Sequence, residues 1–201
     1  MNLLTIKNFS KAITDKELFK NTDFSINEGE KIGIIGVNGT GKSTLLKIIA
    51  GLTETDEGEV IKANKVKINY LPQNPHFEEG VTIYDYVIAQ NINDHNQWNV
   101  EGEAKNILNI LGFNDYNCVV DKLSGGQRKR VALAATLLSD CDILILDEPT
   151  NALDKHGVDE FRHLLLKLKD EGKTIIIASH NSADIELLCD VVYELDGGRL
   201  Q

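Results

Sequence analysis

Three apolar runs of the kind found in buried strands lie within 31–35, 143–147 and 174–179, and the second reads Ile-Leu-Ile-Leu before Asp147. A strand with apolar side chains on both faces has to be covered on both faces, as in parallel sheets. The pattern therefore predicts three central strands of a buried sheet.

The rest of the chain divides into a strand-rich beginning and a helix-rich middle. Turn signals such as Asn27-Glu28-Gly29 and Asp56-Glu57-Gly58 separate short strand patterns near the N-terminus, which favours an antiparallel layer. The further predicted strands are 3–9, 22–26, 59–62, 67–71 and 191–195. The predicted helices are 44–50, 83–90, 102–111, 125–138, 157–171 and 182–189.

Strands and helices that alternate along the chain imply an α/β fold with a mainly parallel core sheet, here joined by an antiparallel β layer and a helical lobe. We expect one domain over 1–201. Within it, 1–73 and 141–201 form the core with its antiparallel layer, and 74–140 form the helical lobe.

The net charge of −10, from 21 basic and 31 acidic residues, argues against nonspecific binding of DNA or RNA. One basic cluster, Arg128-Lys129-Arg130, departs from this balance. We interpret it as a solvated helix face, with a contact to ribosomal RNA or another partner as the alternative.

No apolar run approaches the ~18 residues of a membrane span, and the first residues lack the apolar core of a signal peptide. We therefore expect a cytoplasmic protein. Its three cysteines, Cys118, Cys141 and Cys189, are scattered and have no metal-binding spacing. We expect them to be reduced core thiols.

A phosphate-binding loop follows the predicted strand 31–35. Residues 36–43 match the pattern G-x-x-x-x-G-K-[ST] between a strand and a helix. Backbone N–H groups of such a loop bind phosphate, the lysine reaches the β- and γ-phosphates, and the serine hydroxyl binds Mg²⁺. The residues expected to bind the nucleotide are Asn38, Gly39, Thr40, Gly41, Lys42, Ser43 and Thr44, with Ser43 also a Mg²⁺ ligand.

Two acidic residues, Asp147 and Glu148, end the buried strand 143–147. The carboxyl ends of parallel strands are where ligands bind in α/β sheets. Next to a phosphate loop, Asp147 is expected to hold Mg²⁺ through water. Glu148 is expected to orient and deprotonate an attacking water molecule.

A second phosphate-seeking element is Leu123-Ser124-Gly125-Gly126-Gln127, which precedes a helical run. Ser124 occupies a helix N-cap position, and the two glycines let another molecule approach the backbone closely. The N-terminus of a helix attracts anions because its N–H groups and its dipole point outward. One nucleotide bound between the two elements, on different copies of the chain, would account for both.

These motifs together resemble the ABC ATPase family, over the whole chain. The resemblance implies that Gln73 contacts Mg²⁺ and the attacking water, and that His180 contacts the γ-phosphate. It also implies a dimer that closes head to tail over ATP, in which Ser124, Gly125, Gly126 and Gln127 act across the interface. The motifs also occur in the order typical of the family: the phosphate loop, Gln73, the signature segment Ser124–Gln127, Asp147-Glu148 and His180.

Two parts of the chain resemble different branches of the family. Residues 1–154 are most similar to an ABC-F domain, the ribosome-associated branch, and Glu148-Pro149-Thr150-Asn151 is part of that likeness. Residues 160–201 are more similar to a transporter ATPase subunit. Where the family stacks adenine on an aromatic residue, this chain has Ile13, so the resemblance implies weak adenine binding.

The function predicted from the sequence is ATP binding and Mg²⁺-dependent hydrolysis that drives a conformational change in a partner. The alternative is an ATP-gated binding switch with little turnover. The expected partners are a second ABC domain and either a ribosome or a membrane permease. The chain would then lie in the cytoplasm, free or peripheral to one of these.

Overall fold

A six-stranded sheet in the order β5-β6-β7-β3-β8-β9 forms the centre of the first of two units. The computed structural model describes residues 1–13, 16–89, 91 and 97–201. The strands of the sheet are β3 (Lys31–Ile35), β5 (Ile68–Leu71), β6 (Ile143–Asp147), β7 (Thr174–Ala178), β8 (Val191–Asp196) and β9 (Arg199–Leu200). The three apolar runs of the sequence are thus the adjacent strands β6, β7 and β3.

The central pairs of this sheet, β6-β7, β7-β3 and β3-β8, are parallel, and the short β9 runs antiparallel to its neighbour β8. Every residue of β6 and β7 is buried. The predicted α/β class with a mainly parallel core sheet is confirmed. The strand β9 was not predicted, because a two-residue strand leaves no periodic pattern in the sequence.

The antiparallel layer consists of β1 (Asn2–Ile13), β2 (Lys16–Asn27) and β4 (Glu57–Lys62), in the order β2-β1-β4. Leu4 pairs with Ile26 on one side and with Lys62 on the other. The first two strands are longer than the predicted 3–9 and 22–26. Register shifts interrupt the β1-β2 pairing at several points between Asn2 and Ala12, so the strict alternation on which a strand prediction depends is lost.

One hydrophobic core joins the two sheets and helix α1 (Lys42–Ile49) within this unit. Leu45 and Ile49 of the helix pack with Ile34 of the central sheet and with Phe9 and Phe19 of the antiparallel layer. The two phenylalanine rings lie 4.9 Å apart, centroid to centroid. Both rings are fully buried, so the two residues belong to the core of the antiparallel layer.

The second unit is helical. Its helices are α2 (Ile83–Ala89), α3 (Gln97–Ile110), α4 (Gly125–Leu138) and the first part of α5 (Lys155–Asp170), with short 3-10 turns at Val120–Lys122 and Pro149–Ala152. Buried residues such as Val87, Ala104, Leu108 and Val131 form its interior. Gln90, at the end of the predicted helix 83–90, lies outside the described residues.

The units divide the chain as 1–70, 141–148 and 166–201 against 71–140 and 149–165. Residues 149–165 group with the helical unit, whereas the sequence assigned all of 141–201 to the core. Short α6 (Ser182–Leu188) belongs to the first unit. Across the described ranges, none of the helices has the length and apolarity needed to cross a bilayer. The three cysteines form no disulfide with one another, and of the three only Cys141 is buried.

The basic cluster on α4 is not a solvated face, contrary to our interpretation of the sequence. Arg128 donates from its guanidinium to the carbonyl oxygens of Leu123 (3.2 Å) and Asp121 (2.6 Å). Arg130 donates to the carbonyl oxygen of Leu111 (3.0 Å), and its guanidinium carbon lies 5.6 Å from the centre of the Phe113 ring. Two of the three cations therefore stabilise the turns that precede α4.

Gly33, at the middle of the central strand β3, is required by the close packing of α6. A Cβ atom added there would lie 2.2 Å from Cγ2 of Ile185 and 3.2 Å from Sγ of Cys189. Both distances are below normal van der Waals contact. The helix can therefore lie against the sheet only because this position has no side chain.

We expect Gly33→Ala to lower the free energy of unfolding by about 1–3 kcal/mol, because one added methyl group overpacks the contact with α6. Urea denaturation followed by circular dichroism measures this. The matched control is Gly102→Ala, in α3, where an added Cβ meets no atom within 4 Å. The control should gain up to about 1 kcal/mol from the helix propensity of alanine. Equal stability of the two variants would contradict the assigned packing.

Candidate functional site

The loop that connects β3 to α1 depends on glycine at two positions. Gly36 and Gly41 have φ angles of 154° and 113°. A Cβ on Gly36 would lie 2.7 Å from the carbonyl oxygen of Leu195, and one on Gly41 would lie 3.0 Å from Cζ of Phe19. The loop therefore packs directly on the core behind it, which fixes its backbone beside the start of α1.

The outer side of the loop is open. Asn38 and Gly39 are exposed, and a Cβ on Gly39 would meet no atom within 4 Å. Thr40 donates its hydroxyl hydrogen to the carbonyl oxygen of Val37 at 2.9 Å, which closes the turn. Thr44 lies half-buried in the first turn of α1. The first N–H groups of a helix have no intrahelical acceptor, so this N-terminus is suited to an anion.

Lys42 is the buried cation of this region, with 6% of its surface exposed. Its Nζ donates to the carbonyl oxygen of Gly36 at 2.7 Å and lies 3.7 Å from Oε1 of Glu148. A buried ammonium needs such partners, because desolvation is costly. The lysine of the phosphate loop and the glutamate after β6 are thus in contact.

Asp147 ends β6 and is almost completely buried, with 2% of its surface exposed. Its Oδ2 accepts the hydroxyl hydrogen of Tyr70 at 3.1 Å, whereas Oδ1 is buried without a hydrogen-bond partner of normal geometry in the described part of the chain. Burial raises the pKa of Asp147, and the neighbouring carboxylate of Glu148 adds to the rise. Hydrogen bonding by Ser43 and Tyr70 acts in the opposite direction.

Glu148 has a left-handed backbone, with φ of 52°, which is rare for a residue other than glycine. Its N–H donates to the carbonyl oxygen of Ala178 at 2.9 Å, and its Oε2 lies 2.8 Å from Nδ1 of His180. An ionised carboxylate only accepts, so the hydrogen belongs on Nδ1. Strain of this kind, roughly 1–3 kcal/mol, is typical of functional sites.

The donors in the first unit fit Mg²⁺ held mostly by water and phosphate. No group of three or more His, Cys, Asp or Glu residues that could enclose a metal occurs among the described residues. Mg²⁺ keeps several waters and uses one or two carboxylates together with substrate phosphates. The unpartnered Oδ1 of Asp147 and the hydroxyl of Ser43 are oxygen donors of this kind.

In the second unit, the Ser-Gly-Gly-Gln sequence forms a capped helix start. The hydroxyl oxygen of Ser124 accepts from the N–H of Gln127 at 3.3 Å, and Oε1 of Gln127 accepts from the N–H of Ser124 at 2.9 Å. The side chain of Gln127 is therefore engaged in the cap. Gly125 and Gly126 lie in the first turn, and a Cβ on Gly125 would meet no atom within 4 Å.

The two remaining predicted residues are exposed. Gln73 lies in a bend of the second unit, after β5. Ile13 is the last residue of β1, and 51% of its surface is accessible. The structure thus brings Lys42, Ser43, Asp147, Glu148 and His180 together in the first unit.

Sequence reasoning missed Tyr70. Its hydroxyl bonds to Asp147 because β5 and β6 are neighbours in the sheet. No motif marks a tyrosine at this position. The contact could have been predicted only if the order of the strands had been known, because it requires the strand that ends near residue 70 to lie beside the strand that ends at Asp147.

Comparisons with known proteins agree on one family. A family model described as ABC transporter matches residues 19–151. The chain is 38% identical over 203 residues to the ATP-binding protein Uup of Buchnera aphidicola, an alignment that covers 100% of this chain and 34% of Uup. It is 35% identical over 195 residues to a probable metal transport system ATP-binding protein of Thermotoga maritima, covering 96% of this chain and 80% of that protein.

Among solved structures, a dimeric ATP-binding cassette in a post-hydrolysis state, bound to ADP and Pi, superposes with a TM-score of 0.84. The identity is 27%, and the match covers 99% of this chain and 97% of that one. The chain spans about a third of the length of the first curated relatives it matches.

We expect Asp147→Asn to raise the free energy of unfolding of the nucleotide-free protein, by on the order of 1 kcal/mol, because it removes a buried charge. Since burial raises the pKa of Asp147 in the folded state, its ionisation lowers stability as pH rises from the ordinary aspartate range through the raised value. The variant should lose this part of the pH dependence.

Urea denaturation between pH 4 and pH 8 measures both effects. The control is Asp170→Asn, the same change at an exposed position of the same unit, and it should alter stability by less than about 0.5 kcal/mol. An Asp147→Asn protein that is less stable than the unchanged chain throughout this range would contradict the assignment.

Proposed function

This chain belongs to the ABC transporter family and is an ABC-type ATPase domain, and on that premise we propose how its residues bind and hydrolyse ATP. The observation that carries the proposal is the contact of Lys42 and His180 with Glu148, beside the buried Asp147. These groups come from three different segments of the chain and meet at the carboxyl ends of adjacent parallel strands, where α/β sheets bind ligands.

The loop 36–43 binds the phosphates of ATP. The backbone N–H groups around Gly39 and Gly41 and the beginning of α1 face the anion, and Asn38, Thr40 and Thr44 border it. Lys42 supplies the positive charge. Its Nζ lies 3.7 Å from Oε1 of Glu148, so phosphate binding exchanges one anionic partner of the ammonium group for another.

Glu148 is the general base, and His180 and Gln73 complete the catalytic set. When the ammonium of Lys42 turns to phosphate, Glu148 keeps His180 as its partner through Nδ1. The carboxylate is then free on its other oxygen to orient and deprotonate a water molecule. Mg²⁺ bound with the nucleotide would neutralise phosphate charge. Ser43 and Asp147 would hold it, and the family resemblance gives Gln73 the same role.

Two domains close head to tail over ATP. Ser124, Gly125, Gly126 and Gln127 of one copy, or of a homologous ABC domain, meet the γ-phosphate of the other. The open space beside Gly125 and the N-terminus of α4 suit an approaching anion. The similarity to a dimeric cassette supports this arrangement. Ile13, exposed at the end of β1, contacts adenine by dispersion alone.

The closing and opening of this pair drives a change in a larger partner on the cytoplasmic side. The Thermotoga relative is named for metal transport, which supports a membrane permease. A ribosome is the second candidate. The internal bonds of Arg128 and Arg130 remove the basic cluster as an argument for it. Sedimentation with ribosomes against recovery with membranes, both with a non-hydrolysable ATP analogue, separates the two.

We expect Lys42→Ala to abolish turnover and to weaken ATP binding by about 1.5–3 kcal/mol, the scale of a hydrogen bond to a charged group. Calorimetric titration and phosphate release measure the two quantities. Lys47→Ala is the control, because Lys47 is an exposed lysine of the same helix. Hydrolysis that persists in Lys42→Ala at the rate of the control would exclude this site.

We expect Glu148→Gln to lower turnover by about 10²–10⁴-fold while ATP stays bound, so that the closed dimer accumulates. Light scattering with size exclusion, with and without Mg-ATP, detects the dimer. Adding Ser124→Arg should prevent it by placing bulk in the partner's phosphate site. Adding Ser124→Ala instead removes only the hydroxyl and should weaken the dimer less than the arginine does.

Two outcomes would contradict parts of the proposal. A Glu148→Gln/Ser124→Arg protein that still dimerises on ATP would exclude the head-to-tail arrangement. An unchanged chain that dimerises on ATP but releases no phosphate, alone or with membranes or ribosomes, would favour the ATP-gated binding switch instead of the enzyme.

A further inference from the structure

Tyr70 belongs to none of the motifs described above, yet it brings a hydroxyl group to the carboxylate of Asp147. Its O–H donates to Oδ2 of Asp147 at 3.1 Å. It lies on β5, directly beside β6, and is the last residue of the first unit before the chain passes into the second. Its ring packs against the hydrophobic core, so the side chain has little freedom to turn away.

The strands β5 and β6 are also linked by hydrogen bonds at the opposite end of the pair. The carboxylate of Asp142 accepts from the N–H of Lys67 at 2.7 Å, and the carbonyl oxygen of Lys67 accepts from the N–H groups of Asp142 and Ile143 at 2.9 and 3.1 Å. Polar contacts thus fix β5 beside β6 at the start of the pair. The Tyr70 hydroxyl supplies the matching contact at its end.

The contact with Tyr70 occupies one of the two carboxylate oxygens of Asp147. A carboxylate offers two oxygens to donors. With Oδ2 taken by Tyr70, Oδ1 is the oxygen that is left, and it is buried without a partner of normal geometry in the described ranges.

We propose that Tyr70 is a positioning residue for Mg²⁺: it holds Asp147 through Oδ2 and thereby aims Oδ1 at a water molecule of the metal. This inference rests on the function proposed above, in which Asp147 holds the metal of Mg-ATP. Partners that orient a metal-holding carboxylate in this way typically contribute about 10–100-fold to metal affinity. For Mg²⁺ held through water we expect the lower part of that range.

The test is Tyr70→Phe, which removes the hydroxyl and keeps the ring in the core. The affinity for a non-hydrolysable ATP analogue is measured by calorimetry from EDTA to millimolar Mg²⁺. We expect the Mg²⁺ concentration at half-maximal enhancement to rise about tenfold, while the affinity in EDTA stays unchanged. A role in packing alone would leave the Mg²⁺ midpoint where it is and lower only the melting temperature.

The matched control is Tyr116→Phe, which also removes a hydroxyl that donates to a side chain, Oδ1 of Asn109, at 2.7 Å in the second unit. It should leave the Mg²⁺ midpoint unchanged. In an Asp147→Asn background, Tyr70→Phe should add no further loss, because both changes remove the same oriented oxygen.

The outcomes separate this inference from the proposed function. If the unchanged chain shows no Mg²⁺-enhanced binding of the analogue, the proposed function itself fails. If it does, and folded Tyr70→Phe has the same midpoint as the unchanged chain, the positioning role of Tyr70 is overturned. An equal shift in Tyr116→Phe would also overturn it.

Discussion

Two adjacent carboxylates are buried where β6 ends, and the other residues of the candidate site supply the partners that stabilise these buried charges. A desolvated charge is stable only with partners that neutralise it or bond to it. Glu148 has the ammonium of Lys42 and the ring of His180, and Asp147 has the hydroxyl of Tyr70. These partners come from separate segments, and only the side-by-side arrangement of β3, β5, β6 and β7 brings them to one edge of the sheet.

The buried charges are not fully compensated by these partners, and this leaves groups of the site available to a charged ligand. Burial still raises the pKa of Asp147, one of its oxygens has no partner of normal geometry in the described chain, and Glu148 has a strained backbone. A site that is fully satisfied by its own side chains gains little from a ligand. A metal and phosphates would supply further partners to these groups, which favours their binding.

The second unit uses its polar residues differently. Ser124 and Gln127 bond to each other's backbone in a reciprocal cap, and Arg128 and Arg130 bond to carbonyl oxygens of the preceding turns. These bonds give the signature segment a defined backbone whose exposed part is the glycine N-terminus of α4. The unit therefore presents a rigid set of N–H groups, instead of flexible charged side chains, to whatever approaches it.

Local pattern alone determined much of this protein. Apolar runs identified β3, β6 and β7 because both faces of a parallel strand are buried, and the spacing of glycines and Lys42 identified the phosphate loop because its chemistry is carried by consecutive residues. The order of the strands in the sheet could not be derived from such patterns, and neither could contacts that depend on it. Tyr70 contacts Asp147, and Arg128 and Arg130 bond to carbonyl oxygens of preceding turns. These contacts form only because residues distant in sequence pack together, and that packing was decided by the tertiary structure.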